Sequence, residues 1–460
     1  MNYKRVETLG HMMSRGIFIS KNLHRRWAST KLMVEMDPVV DKQLETAELN
    51  PKKHPGILKL QFVQVPEWIQ NGMVKAIGDG SMKSLCQGGE KLAAYLNQRH
   101  PPPNAAEVNR KLSKVKQKFL EKFDTSEMSE EQIAEFLKKN SINIKMALKQ
   151  HVYPWHAIEY DATRSLHYML GRAAQDFAVL YRIFNEIATT DRDFKPESLF
   201  DFGSGIGTVV WAAHNFWNKS LNEYYCVDPS NDMHTVAESI IGNQLESPKN
   251  VYYRQHLPAA ARYTSNIVVS AFSLFELPSA EARLEVILKL WLKSDNYLVI
   301  VEQGTNAGFK LVTEARDFIL DLSNKPSEND DLRPFHIVAP CPHDLICPRY
   351  VLDRTPCNFV APYTTLKLGQ NATNKQERYS YVVFKKGERP EGVEPWPRIV
   401  RPTLVRSKHT ICRMCTGDGK LEEIVFTAAK HGKLAYKCAR YSNWGDRLPL
   451  QIRQGTEDPE

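Results

Sequence analysis

A segment near the middle of the chain, with glycine at every second position, could bind a nucleotide. Its sequence is Asp201-Phe202-Gly203-Ser204-Gly205-Ile206-Gly207, and it stands between a segment that reads as a strand and one that reads as a helix. Glycine lets the backbone turn tightly and approach a ligand without a Cβ atom in the way. The helix that follows presents free N–H groups and the positive end of its dipole. We therefore expect Gly203, Ser204, Gly205 and Gly207 to face a ligand.

Two acidic residues indicate which nucleotide this loop would bind. Nicotinamide dinucleotides bind similar loops, but their glycine pattern is G-x-G-x-x-G, whereas the pattern here is G-x-G-x-G. Asp201 ends the preceding strand, where it would meet a cationic amino-acid group rather than a pyrophosphate. Asp228 ends the next strand, where a carboxylate can accept hydrogen bonds from both hydroxyls of a ribose. The pattern favours S-adenosylmethionine, and the alternative is a degenerate loop that is retained only as scaffold.

The cysteines indicate a metal centre. Six of the eight cysteines fall between residues 341 and 438, namely Cys341, Cys347, Cys357, Cys412, Cys415 and Cys438. No secretory signal precedes them and the chain is long, so a disulfide framework is a poor interpretation. Thiolates favour zinc or iron–sulfur centres. Proline adjoins Cys341, Cys347 and Cys357, which is typical of iron–sulfur loops, and zinc or reduced structural thiols are the alternatives.

The fourth ligand of such a centre would come from Cys412 or Cys415. These residues are three positions apart, so on a strand they point to opposite faces and only one can reach a shared centre. His343 lies between the first two cysteines and is a candidate zinc ligand. Otherwise His343 and Asp344 shape the loop.

Strands that alternate with helices predict an α/β domain. The predicted strands are Ser198–Phe202, Tyr224–Val227, Asn266–Ala271, Tyr297–Glu302 and a late strand at Glu377–Lys386. This alternation implies parallel βαβ units in a doubly wound sheet.

The composition of the chain divides it into further segments. Residues 34–150 are rich in lysine and mostly helical, and residues 151–386 form the α/β domain with a cysteine-rich segment at 339–358. Residues 387–397 are rich in proline and glycine, which predicts a linker. Residues 398–460 read as short strands of a small, basic β domain.

The first 33 residues are strongly basic. They contain seven Lys and Arg residues against one acid, Glu7, and so carry +6 of the chain's net +8. An arginine-rich, acid-poor start is typical of a mitochondrial transit peptide, and the alternative is a disordered basic tail that contacts nucleic acid. No apolar run approaches the roughly 20 residues that span a bilayer, so we do not expect a membrane protein.

Basic and aromatic side chains are interleaved near the end of the chain. Residues 398–447 hold eleven Lys and Arg residues against four acids. His409, His431, Tyr436, Tyr441 and Trp444 lie among them. Basic groups neutralise phosphates while aromatic rings stack on unpaired bases. The segment favours RNA binding, and a merely solvated basic face is the alternative.

Three strings of the sequence resemble a single protein family. They are FDFGSGIGTVVWAAH (Phe200–His214), VEQGTNAGF (Val301–Phe309) and APCPHDLICP (Ala339–Pro348). They are similar to the methyltransferase-like family of small-ribosomal-subunit assembly factors found in mitochondria and bacteria, across residues 150–450. The cysteine string is the most specific, because general methyltransferases lack it. Family members tend to carry Glu-Pro-Gly where this chain has Glu302-Gln303-Gly304.

The resemblance implies a fold, two cofactors and a partner. The fold would be a Rossmann-like class I methyltransferase sheet with a helical N-terminal region and a small C-terminal β domain. A [4Fe–4S] cluster would be held by Cys341, Cys347, Cys357 and Cys415, the last of which matches the family's Cys-Thr-x-x-Gly pattern. S-adenosyl-L-methionine would bind the glycine loop. The rRNA and proteins of the small ribosomal subunit, in the mitochondrial matrix, would be the partners of a monomer.

No catalytic residue can be assigned from the sequence. Amino-directed nucleic-acid methyltransferases carry Asn/Asp-Pro-Pro-aromatic after the fourth strand, where this chain has Ser270-Ala271-Phe272-Ser273. Cytosine C5 methylation needs a cysteine nucleophile, and Pro340-Cys341 lies within the metal segment. We therefore interpret the protein as a ribosome assembly factor that lacks methyl transfer. An active rRNA methyltransferase and an iron–sulfur sensor that gates translation are the alternatives.

Overall fold

The computed structural model describes residues 32–454, except for residues 59–60, 125–127, 151, 153–154, 243–245, 259–262, 325–332, 354, 369–370 and 391–394. All but the last two residues of the predicted leader therefore lie outside the described residues. Within the described ranges, no helix is both long enough and apolar enough to cross a membrane.

Helices dominate the first third of the described chain and then alternate with strands. The helices are α1 (Pro38–Glu45), α2 (Glu67–Ile77), α3 (Met82–Asn97), α4 (Ala105–Leu120), α5 (Glu130–Lys139), α6 (Ser141–Lys149), α7 (Ala162–Thr190), α8 (Thr208–Trp217), α9 (Asn231–Ile241), α10 (Ala280–Lys293), α11 (Asn306–Asn324), α12 (Ala428–His431) and α13 (Lys433–Tyr441). Local sequence explains several helix starts. The side chain of Ser129 accepts from the backbone of Gln132 in a capping box that opens α5, and Asp161 caps α7.

The strands form one large sheet and two smaller groups. They are β1 (Leu32–Met36), β2 (Ser198–Phe202), β3 (Glu223–Val227), β4 (Val251–Arg254), β5 (Ser265–Ala271), β6 (Ser294–Gln303), β7 (Phe335–Ala339), β8 (Phe359–Thr364), β9 (Asn374–Lys386), β10 (Arg398–Ile399), β11 (Leu404–Val405), β12 (Thr410–Cys415), β13 (Leu421–Phe426) and β14 (Leu450–Gln454).

The large sheet runs in the order β4-β3-β2-β5-β6-β9-β7, and β8 pairs with the first half of β9. Strands β2 to β6 are parallel to one another, whereas β9 lies antiparallel between β6 and β7. The strand order changes direction between β2 and β5, and doubly wound sheets open a ligand crevice at such a point. The doubly wound α/β fold predicted from the sequence is confirmed.

Both faces of the large sheet are covered by helices. Helices α2, α7, α8 and α9 pack on one face, and α10 and α11 pack on the other. Helix α3 lies against α7, where a Cβ atom added to Gly171 would stand 2.3 Å from the carbonyl oxygen of Gly89. Only glycine therefore permits this close helix crossing.

The C-terminal unit is a second, smaller sheet. Strands β10, β12 and β11 are neighbours, and β13 pairs with β12. Strand β1 pairs antiparallel with β14, so residues from the start of the chain complete this unit. Helix α13 covers the small sheet and buries Ala435 and Ala439 beside Met414 and Phe426. This helix corrects the sequence interpretation, which expected only short strands here.

A buried ion pair joins the two sheets. Arg398 on β10 pairs with Glu186 on α7, and both side chains are 3% exposed or less. Arg398 also donates to the carbonyl oxygens of Pro340 and Gly445, at 3.0 and 2.8 Å. The hydroxyl of Tyr381 donates to Glu186 at 2.9 Å. The C-terminal unit is therefore held to the α/β domain by contacts well outside residues 387–397.

Candidate nucleotide site and cysteine centre

The glycine loop connects β2 to α8 at the carboxyl edge of the sheet. Gly203, Gly205 and Gly207 all have positive φ angles, of 71°, 50° and 89°. The N–H groups of Gly203 and Ser204 donate to the carbonyl oxygen of Val227 at 2.8 and 3.1 Å, which fixes the loop to β3. Helix α8 begins after Gly207 without a side-chain cap, so its first N–H groups remain available to a ligand.

The glycines of the loop have different surroundings. A Cβ atom added to Gly203 would stand 2.4 Å from the Cβ of Ser273, so this position must be glycine for the chain to pack. A Cβ atom on Gly205 would meet no described atom within 4 Å. The space above Gly205 is therefore open to a ligand.

Asp201 is an uncompensated acid at the end of β2. Its side chain is fully buried, and neither carboxylate oxygen has a hydrogen-bond partner among the described residues. Burial, and then the charge of Asp228, raises the pKa of Asp201 well above its usual value. A cation held here would satisfy both oxygens, so the residue fits the amino group of S-adenosylmethionine.

Asp228 follows β3 and faces the same loop. Its Oδ2 accepts from the N–H of Gly205 at 3.0 Å, and its Oδ1 accepts from the N–H of Ser230 at 2.9 Å. Each carboxylate oxygen has a second lone pair, so both oxygens can still accept from a ribose. The structure thus brings together the loop, Asp201 and Asp228.

A segment before α7 covers the carboxyl edge of the sheet. The carbonyl oxygen of Tyr160 accepts from the hydroxyl of Ser230 at 2.6 Å, and the indole of Trp155 donates to the carbonyl oxygen of Phe275 at 2.8 Å. Arg99, which follows α3, forms an ion pair with Glu276. These contacts close the region where a methyl acceptor would approach.

Beneath this cover lies a cavity of about 20 Å³, which holds about one water molecule. It is lined by Leu96, Arg99, Tyr160, Tyr168, Arg172, Phe272, Phe275, Glu276 and Gln303. Phe272 adopts a φ of 55°, a strained conformation for a bulky residue. Phe272 has the guanidinium of Arg172 over its ring, 5.5 Å from the ring centre.

The four cysteines named by the resemblance lie near one another. Burial, and then the charges of Cys341, Cys357 and Cys347, raises the pKa of Cys415 well above its usual value. Burial, and then Cys341, raises the pKa of Cys347 to about 11. The negative charges of neighbouring thiolates would repel one another. These cysteines therefore stay protonated until a cation neutralises their thiolates.

Cys412 lies apart from these four residues. Its side chain points into the core of the C-terminal unit, where Sγ lies 3.8 Å from the carbonyl oxygen of Ala439. Cys412 and Cys415 thus occupy opposite faces of β12, as strand geometry requires.

The thiols do not already form a single-ion site. Across the described residues, no three His, Cys, Asp or Glu side chains converge closely enough to hold a metal ion. His343 Nε2 lies 3.3 Å from Sγ of Cys415. Asp344 accepts from the N–H of Ile337 at 2.7 Å and pairs with Arg389 at 2.8 Å, so it shapes the loop.

Sequence reasoning missed Arg316, which lies under the cysteine loop. Arg316 is 3% exposed and donates to the carbonyl oxygens of His343 and Leu345. Its charge also faces Cys341 and Cys347. The sequence does contain a signal for this residue, because Arg316 shares the apolar face of α11 with Val312 and Ile319. A charge on a buried face requires a partner.

The aromatic residues of the C-terminal unit are mostly engaged within the protein. Arg440 lies over the ring of Tyr436, Lys52 over Tyr441 and Arg378 over Trp444. His431 packs against Phe426. These rings are therefore less available for stacking on bases than the sequence suggested.

Three features together define a class I methyltransferase fold. They are the strand order, with a reversed strand between β6 and β7, the glycine loop and the two strand-end acids. The chain belongs to the Rsm22 family, because the family model described as mitochondrial small ribosomal subunit Rsm22 matches residues 162–449. The family resemblance found in the sequence is thus confirmed.

Three known proteins are similar to this chain to different degrees. The chain is 39% identical over 403 residues to the human ribosome assembly protein METTL17, mitochondrial. The aligned region covers 87% of this chain and 86% of that protein. It is 28% identical to the Rsm22-cox11 tandem protein 2, mitochondrial, of Schizosaccharomyces pombe, covering 64% of this chain and 44% of that longer protein. Magnesium protoporphyrin IX methyltransferase from Synechocystis, at 12% identity, covers 54% of this chain and 93% of that one, with a TM-score of 0.30.

Proposed function

We propose that this protein assists assembly of the mitochondrial small ribosomal subunit by binding its rRNA and proteins as a monomer in the matrix, without inserting into a membrane. The observation that carries the proposal is 39% identity across most of the chain to a relative named as a mitochondrial ribosome assembly protein. The basic leader at residues 1–33 supports the same compartment. The proposed division is a helical region at 34–150, a methyltransferase-like domain at 151–386, a linker at 387–397 and an RNA-binding unit at 398–460.

S-adenosyl-L-methionine is the nucleotide we propose for the glycine loop. Asp201 would hold its amino group, Asp228 its ribose, and Gly203, Ser204, Gly205 and Gly207 would pass closely around it. The unpartnered carboxylate of Asp201 and the open space above Gly205 support this assignment.

Two substitutions test the nucleotide site, and we expect each to lower the affinity for S-adenosylmethionine at least tenfold. Asp201→Asn removes the charge but keeps the shape, and Gly205→Val places a side chain in the open space. Asp201→Asn should also raise the melting temperature of the ligand-free protein, because it removes an uncompensated buried acid. Calorimetry with the purified protein measures the affinity. Wild-type protein without measurable affinity would show that the loop is only scaffold.

Methyl transfer is not part of the proposed function. The segment after β5 offers no acceptor-activating group, and the Arg99–Glu276 pair and Trp155 cover the approach to it. The second candidate is an active rRNA methyltransferase, which the open space at Gly205 favours. Incubation with labelled S-adenosylmethionine and small-subunit rRNA separates the two, since label in the RNA would establish the enzyme.

A [4Fe–4S] cluster is the metal group we propose for Cys341, Cys347, Cys357 and Cys415. The donor set fits, because the four thiols interact through their charges and lie beside the buried guanidinium of Arg316. Each of the four cysteines would bind a different iron atom of such a cluster. The thiols would then surround a volume rather than converge on one point. The cluster would tie β12 to the loop between β7 and β8.

The C-terminal unit is the RNA-binding surface that we propose. Lys408, Lys430 and Lys433 are exposed, and none has a carboxylate partner among the described residues. Arg440 donates to the carbonyl oxygen of Arg406, which brings the start of the turn before β12 next to α13. These lysines would neutralise phosphates without reading sequence.

The lysines are tested by a triple substitution, Lys408→Gln, Lys430→Gln and Lys433→Gln. We expect affinity for small-subunit rRNA to fall and the slope of log affinity against log salt to become shallower by about 2. The matched control removes three exposed lysines elsewhere, at Lys114, Lys118 and Lys138. Equal losses in both triple variants, measured by filter binding across salt concentrations, would contradict this surface.

A further inference from the structure

His343 lies within the cysteine centre, and its two ring nitrogens face different groups. Nδ1 lies 3.1 Å from the backbone nitrogen of Leu345, and Nε2 lies 3.3 Å from Sγ of Cys415. The N–H of Leu345 can only donate, so Nδ1 accepts with its lone pair. A neutral imidazole carries a single ring proton. That proton is therefore on Nε2, which points at the sulfur.

The same geometry disfavours His343 as a metal ligand. Binding a metal through Nε2 would require its lone pair and would place the ring proton on Nδ1. Two N–H groups would then face each other across 3.1 Å at Leu345. The alternative role as a zinc ligand is therefore disfavoured by the loop itself.

The orientation of the ring is fixed by the loop that carries it. Arg316 donates to the carbonyl oxygens on either side of Asp344, those of His343 and Leu345. Asp344 is in turn held by the N–H of Ile337 and by Arg389. The side chain of His343 is 3% exposed, so water does not compete for its proton.

We propose that His343 is a positioning residue whose Nε2–H donates to the thiolate of Cys415 and raises the reduction potential of the cluster. The inference rests on the cluster proposed above. Reduction of a bound cluster by an external one-electron donor would make its sulfurs more negative. A hydrogen-bond donor stabilises that reduced form more than the oxidised form. His343 thereby favours the reduced cluster.

Two variants separate the two contacts of the ring. In His343→Gln the amide nitrogen reaches the place of Nε2 and keeps a donor to the sulfur. In His343→Asn the amide oxygen takes the place of Nδ1 and accepts from Leu345, but no donor reaches the sulfur. We expect His343→Asn to have a lower midpoint potential than wild type, and His343→Gln to lie close to wild type. The measurement is a dithionite titration of full-length, anaerobically purified protein, followed by electron paramagnetic resonance.

Equal potentials in wild type and His343→Asn would overturn the proposal. So would a His343→Gln potential as low as that of His343→Asn, because the donor would then have no effect. A His343→Asn protein without iron would overturn it as well, because His343 would then be needed for binding the cluster rather than for its potential. Iron-free wild-type protein would overturn the cluster itself, and this role with it.

Discussion

Substitution of Cys347 by serine is expected to leave the protein without iron, whereas wild-type protein purified without oxygen should contain about four irons per chain. Cys347 is 6% exposed and interacts with the charges of its neighbouring thiols. A hydroxyl in its place stays protonated at neutral pH and does not replace a thiolate ligand. Iron and acid-labile sulfide analysis measures the result, together with loss of the brown colour.

Cys412→Ser is the matched control for this experiment. Cys412 is another buried cysteine of the same region, but its Sγ contacts Ala439 rather than the other thiols. This variant should keep its iron. Stoichiometric zinc without iron in wild-type protein would contradict the cluster. Loss of iron in Cys412→Ser together with its retention in Cys415→Ser would contradict the choice of the fourth ligand.

The central strands of the sheet could be predicted because they are buried on both faces. Strand β2 was predicted with its observed ends, Ser198 and Phe202, and the sequence also located β3, β5 and β6. Parallel strands buried on both faces read as continuous apolar runs. Strand β4 was missed, because its residues alternate between half-buried and exposed and carry little apolar signal.

Contacts between distant parts of the chain could not be predicted. Strand β1 pairs with β14 across the whole sequence, and no periodicity in either segment indicates its partner. Helix α13 was missed although Ala435, Cys438 and Ala439 follow helical spacing, because the whole of residues 398–460 was interpreted as short strands. The two strand-end acids were predictable because their spacing follows the βαβ repeat itself.

Removing the charge of Glu186 is expected to destabilise the protein by about 3–5 kcal/mol, because it leaves Arg398 buried without a counter-charge. Burial alone would raise the pKa of Glu186, but Arg398 and Arg447 more than reverse this and lower it. The contribution of Glu186 to stability is therefore present above the unfolded pKa and is lost as the pH falls through the lower pKa of the folded state. Urea unfolding of Glu186→Gln and wild type at pH 7 measures the difference.

The matched control is the exposed pair of Glu135 and Lys139 on α5, whose side chains are 67% and 74% exposed. Glu135→Gln should cost no more than about 0.5 kcal/mol, since water screens this pair. In Glu186→Gln the C-terminal unit should also become sensitive to proteolysis before the α/β domain does, because Arg398 is the residue that bonds to Glu186, Pro340 and Gly445 together. Glu186→Gln protein as stable as wild type would mean that this ion pair is not needed to hold the two sheets together.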